Sequence, residues 1–127
     1  MSLSVRSMGD VIRISQKIQA FCLDKGVDAR RSCLSGLCME EMAGNVVTHG
    51  FSKDKKHHFV DVQVIYKSGS LILRIKDDCA AFDPATRREI VDPEDITKNI
   101  GIRMVYDMAY SVSYQSLLGL NVLTVVI

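Results

Sequence analysis

The sequence predicts an α/β fold, a two-layer sandwich in which a mixed, mostly antiparallel sheet carries helices on one face. Three observations lead there. Two early segments repeat apolar residues at helical spacing, two later pairs of short segments alternate apolar and polar residues, and a further helical stretch separates those pairs. Strand pairs split by helices suit hairpins under a helical layer. With 127 residues the chain has the size of one domain, spanning 1–127.

In residues 9–25, Val11, Ile14, Ile18 and Cys22 recur on one side, and Gly26 is a natural stop. No strand is evident before this helix. Residues 1–8 are therefore expected to be disordered or a boundary, with the domain forming the tail of a longer regulatory protein, for instance one carrying a phosphatase module. Asp28 can cap a second helix running to Thr48 or His49, where Gly50 ends it and residues 52–56 make a charged loop. From His58 to Tyr66 the period becomes two, with Val60, Val62 and Val64 on one side. Residues 67–70 supply a turn, and Leu71 to Asp77 return as a second strand. There Leu71, Leu73, Ile75 and Asp77 share the inner face, which leaves Asp78 on the water side. Residues 79–98 show little periodicity, apart from a short helix expected at 84–91 after Asp83-Pro84, and their length suits a lid. A helix follows at 101–109 with Ile102 and Val105 inward, then two β-rich runs around Leu118-Gly119. Met39, Met42, Met104 and Met108 read as core filler.

One helix breaks the pattern. At about 100° per residue, Leu34, Leu37, Cys38 and Met42 share an arc with Glu41, Asn45, Thr48 and His49. Inward carboxylates and carboxamides cost several kcal/mol, on the order of 2–7, unless something pairs with them, so the row implies a hydrogen-bond network or a ligand. Glu40 lies on another, solvated face. Asp77 adds a second inward carboxyl group, and the sandwich brings it beside Asn45.

Composition excludes several classes. A net charge of +1 gives no field that would steer the chain to nucleic acid or anionic lipid. No apolar run approaches the roughly 18 residues of a membrane span, and no signal peptide opens the chain, so a cytoplasmic protein is expected. The cysteines at 22, 33, 38 and 79 have no C-x-x-C spacing and read as reduced, buried thiols. Zinc is not expected, because His57 and His58 are adjacent in a loop and no cysteine pair stands at ligand spacing.

Three stretches resemble a known superfamily. Glu41-Met-Ala-Gly-Asn45-Val-Val-Thr-His49-Gly50 is similar to the E-x-x-x-N-x-x-x-H-G box of the GHKL (histidine-kinase-like) ATPases, which include gyrase, histidine kinases and anti-sigma-factor serine kinases. Asp77-Asp-Cys-Ala-Ala-Phe-Asp-Pro84 resembles the D-x-G-x-x-F-D-P box of the anti-sigma-factor branch, and Asn99-Ile-Gly101-Ile102 its G-x-G-[LI] box. Leu118 to Thr124 resembles the closing hairpin. The boxes stand in family order over about residues 9–127.

The resemblance implies a Bergerat-type ATP-binding fold with ATP and Mg as cofactors. Carried over residue by residue, Asp77 would accept the adenine amino group and Asn45 would ligate magnesium. Glu41 would be the catalytic base toward a serine hydroxyl. His49 and the start of the helix at Gly101 and Ile102 would lie near the phosphates. Cys79 and Ala81 would flank the adenine, and Thr124 would support it through water. The implied function is a serine kinase acting on an anti-sigma-factor antagonist, with a sigma factor as a second partner and a homodimer as the expected assembly. In this chain Cys79 replaces a glycine beside the adenine and Asn99 replaces the first glycine of the lid box. Cys79 narrows the pocket, whereas asparagine tolerates left-handed backbone. The alternative reading is a non-catalytic interaction module with a degenerate nucleotide pocket. A histidine-kinase ATP-binding half is less expected, since the lid is short and no helical phosphoacceptor segment precedes it.

Overall fold

A computed structural model describes residues 1–51, 57–89, 92–95 and 99–127, with backbone alone at 87 and 88. The expected loop at 52–56, the last residues of the expected helix at 84–91, and lid residues 96–98 lie outside the described residues. Element order is β1 (Ser2–Val5), α1 (Met8–Asp24), α2 (Ala29–His49), β2 (Val60–Lys67), β3 (Ser70–Asp77), α3 (Pro84–Arg88), α4 (Ile100–Met108), β4 (Ser111–Leu117) and β5 (Leu120–Val126).

The strands form one sheet in the order β1-β2-β3-β5-β4, and every pairing is antiparallel. Period-two alternation decides which face each side chain takes. Val60, Val62, Val64, Leu71, Leu73, Ile75, Leu123 and Val125 are buried on the helix side, while Asp61, Gln63, Arg74 and Lys76 are exposed on the other. Both hairpins turn through two residues of positive φ, Ser68-Gly69 (53° and 78°) and Leu118-Gly119 (55° and 78°), the turn whose twist suits antiparallel strands.

The helices follow their capping signals. Ser7 accepts a hydrogen bond from the Asp10 N–H at 3.3 Å, and Asp28 accepts one from the Arg31 N–H at 3.1 Å. Val11, Ile14, Ile18 and Cys22 of α1 and Leu34, Cys38, Met39 and Met42 of α2 complete the core.

Three expectations need correction. A strand does precede the first helix: β1 pairs along β2 from Ser2↔Gln63 to Val5↔Val60, with Val5 buried. Four residues give too short an alternation to be recognised, and the strand is held by pairing to a partner about sixty positions away. Met104 and Met108 are 41% and 38% exposed, because Gly101, Ile102 and Val105 alone occupy the buried side of α4. Cys33 is exposed on α2, while Cys22, Cys38 and Cys79 are buried and none of the four is in a disulfide. No helix among the described residues is long and apolar enough to cross a membrane.

Candidate functional site: a small cavity at the end of the central strand

Asp77 ends β3, the middle strand of the sheet, on the inward side of the alternation. It is 6% exposed. Its register partner on β5 is Asn121, which is 2% exposed. The Asn121 amide donates to Asp77 Oδ1 at 2.9 Å and to the Cys79 carbonyl at 2.8 Å, and its own Oδ1 accepts from the Ser116 hydroxyl at 2.6 Å. The Cys79 N–H also donates to Asp77 Oδ1, at 3.0 Å. Both of these donors fall on one oxygen, which leaves Oδ2 for a further donor. Burial pushes the Asp77 carboxyl above the usual carboxylate range, and the bonds from Asn121 and Cys79 pull it part of the way back.

Asn121 is the site residue that sequence reading missed. The signal was present: Leu123 and Val125 face inward, so period two carries Asn121 inward as well. By the same alternation Thr124 falls on the opposite face, in register with Arg74 and Ser113, away from Asp77.

A small cavity of about 30 Å³ opens beside Asp77, bordered by Asn45, His49, Cys79, Ala80, Phe82 and Tyr114 over an apolar floor that includes Met42, Ile75 and Leu123. That is space for a water or two. The loop after β3 closes it: the Phe82 N–H donates to the Tyr114 hydroxyl at 2.8 Å, and the Phe82 ring stacks on His49 with centroids 6.2 Å apart. Ala80 rather than Ala81 borders the space; Ala81 is exposed. Gly50 ends α2 with an ordinary φ of −92°, and what it supplies is room, since a Cβ there would stand 2.7 Å from the Val46 carbonyl and 2.9 Å from Cys79 Sγ.

The polar row of α2 divides. Asn45 is half-buried at the cavity, Glu41 is half-buried one turn earlier, and Thr48 and His49 are exposed. Glu41 points at α4, where any Cβ on Gly101 would collide with its carboxylate. Burial, and then the neighbouring charge of Glu40, raise the Glu41 carboxyl. Gly101 is buried in the first turn of α4, and Ile102 beside it belongs to the core at 2% exposure. Asn99 caps α4 in the left-handed conformation with φ 62°, which asparagine adopts more readily than most residues. Its amide Nδ2 is buried without a hydrogen-bond partner among the described residues. Asp78 is half-buried rather than facing water, and its Oδ1 accepts from the Phe59 N–H at 2.9 Å and stands 3.2 Å from His58 Nδ1.

Asp77, Asn45, His49 and Cys79 thus meet at one cavity, while Glu41 meets Gly101 between α2 and α4. Ala81 and Thr124 lie elsewhere.

The fold has solved relatives. The histidine kinase domain of the blue-light-activated histidine kinase EL346 from Erythrobacter litoralis is similar over 94% of this chain, with 17% identity and a TM-score of 0.60. The match spans 59% of that protein's chain. No curated protein matches the sequence. The family model described as a histidine kinase-like ATPase domain matches residues 6–127. With nearly its whole length inside that match, the chain belongs to the histidine kinase-like ATPase domain family.

Proposed function

We propose that this domain binds Mg-ATP and acts as a regulatory serine kinase of the anti-sigma-factor type, phosphorylating a serine on an antagonist protein. The observation that carries the reading is Asp77, an inward carboxylate with two donors on Oδ1 and Oδ2 left to receive the adenine amino group. The donor set also fits the rest of the nucleotide. The unpartnered Asn99 amide stands at the amino end of α4, where backbone N–H groups favour phosphate. Asn45 offers a neutral oxygen for magnesium, one turn from Glu41. Bound Mg²⁺ neutralises phosphate charge during transfer.

Glu41 is the base in this scheme. Its raised pKa brings it toward the pH at which it must accept a proton. It takes the serine hydroxyl proton as the serine oxygen bonds to the γ-phosphorus, and ADP leaves.

Calorimetry with Mg-ATP on the wild type and Asp77→Asn tests the nucleotide reading, with binding expected for the wild type and at least tenfold weaker for the variant. Equal binding by both removes the adenine contact. Glu41→Ala should keep nucleotide and lose transfer to the serine substrate.

A second reading has its own observation. The cavity, at about 30 Å³, is closed by Phe82, Tyr114 and Cys79, which favours a non-catalytic interaction module. Absence of binding to any adenine nucleotide at millimolar concentration would select it.

A further inference from the structure

Sequence spacing gives no metal centre, yet the hairpin brings together residues that are twenty positions apart. A ring nitrogen of His58, just before β2, a carboxylate oxygen of Asp78 and the Sγ of Cys79, just after β3, lie within 4.8 Å of one another. We propose that His58, Asp78 and Cys79 form a zinc site, with a solvent molecule as the fourth ligand.

The chemistry of the set favours zinc. One thiolate, one imidazole and one carboxylate form a mixed set suited to a borderline-soft divalent cation, and three protein ligands with one open position are a known arrangement for Zn²⁺. Zinc bond lengths of about 2.0–2.3 Å place tetrahedral ligand atoms about 3.3–3.7 Å apart. His58 Nδ1 and Asp78 Oδ1 already stand at 3.2 Å, and Cys79 Sγ, within 4.8 Å of both, reaches tetrahedral spacing by closing about 1 Å.

The ligands are also held. The Phe59 N–H donates to Asp78 Oδ1 at 2.9 Å, and the Phe51 ring stacks on His58 with centroids 6.2 Å apart. Cys79 is pinned at both backbone groups, its N–H by Asp77 and its carbonyl by Asn121. The His58 side chain is 7% exposed and that of Asp78 is 29%, so the cluster is sheltered but open to solvent through the carboxylate. Binding releases the Cys79 thiol proton to water and forms a zinc–sulfur bond, with no change of oxidation state. The ion would tie the start of β2 to the loop after β3, at the wall that Cys79 gives the cavity.

The test uses the whole chain, reduced and stripped of metal, with Co²⁺ as the spectroscopic probe and Zn²⁺ as competitor. One equivalent of Co²⁺ should produce a thiolate-to-cobalt charge-transfer band that Zn²⁺ abolishes. The band should persist in Cys33→Ser, whose thiol is exposed on α2, and vanish in Cys79→Ser. His58→Gln, with unchanged circular dichroism, should weaken Zn²⁺ binding by at least about tenfold, the scale on which even outer-shell partners act. A wild type without the band at one equivalent overturns the proposal. So does a band that survives Cys79→Ser, or full affinity in a folded His58→Gln. None of these readouts depends on nucleotide.

Discussion

Replacing Asn121 with alanine removes three hydrogen bonds from a side chain that is 2% exposed: the donations to Asp77 and to the Cys79 carbonyl, and the acceptance from Ser116. A bond to a carboxylate contributes about 1.5–3 kcal/mol and a neutral one about 0.5–1.5 kcal/mol. The first two alone therefore place the loss near 3 kcal/mol. For a domain of this length, about 4 °C of melting temperature accompanies each kcal/mol, giving a fall of about 12 °C. Urea denaturation followed by circular dichroism should show a lower midpoint with an unchanged slope. Thr124→Ala, three residues along the same strand but on the opposite face, should stay within about 0.5–1 kcal/mol of wild type. A loss below about 1 kcal/mol in Asn121→Ala, or a larger loss in Thr124→Ala, would refute the assignment of strand faces on which the site rests.

Gly101→Ala forces the Glu41 carboxylate aside and should cost about 1–3 kcal/mol, most of which disappears in a Glu41→Ala background because the collision partner is gone; a denaturation double-mutant cycle reads the coupling. Asp77 has a folded-state pKa above its usual 3.8, so the native state binds the proton more tightly than the unfolded chain and stability falls as pH rises from 3.8 through the folded value. Asp77→Asn should therefore be more stable than wild type at neutral pH, and that advantage should shrink on acidification through the elevated pKa, as melts across pH will show.

Much of this was legible because long elements repeat a period. The helical arc of α2 and the alternation of β2 and β3 announced the core and also betrayed Glu41, Asn45 and Asp77, since each violates the pattern it sits in. What escaped depended on distant partners. β1 offers four residues and owes its existence to β2, so nothing local marks it. Asn121 was hidden by a choice of residue type: Thr124 drew attention through resemblance, while the alternation of its own strand already pointed to Asn121. Met104 and Met108 satisfy a helical spacing, yet α4 needs only Gly101, Ile102 and Val105 against the core. Meeting of His58 with Asp78 and Cys79 is a product of hairpin register, which spacing along the chain does not express.

Several features work against an apolar core. Asp77 carries a buried carboxyl group whose ionisation burial opposes, Gly101 makes room for a half-buried Glu41, and Asn99 adopts a left-handed backbone while its amide lacks a partner. Any one of these is tolerable as structural noise; they fall at the end of β3, in the second half of α2 and at the start of α4. A sequence selected for stability alone would replace them, because an apolar residue at 77 and an ordinary cap at 99 would each remove a cost.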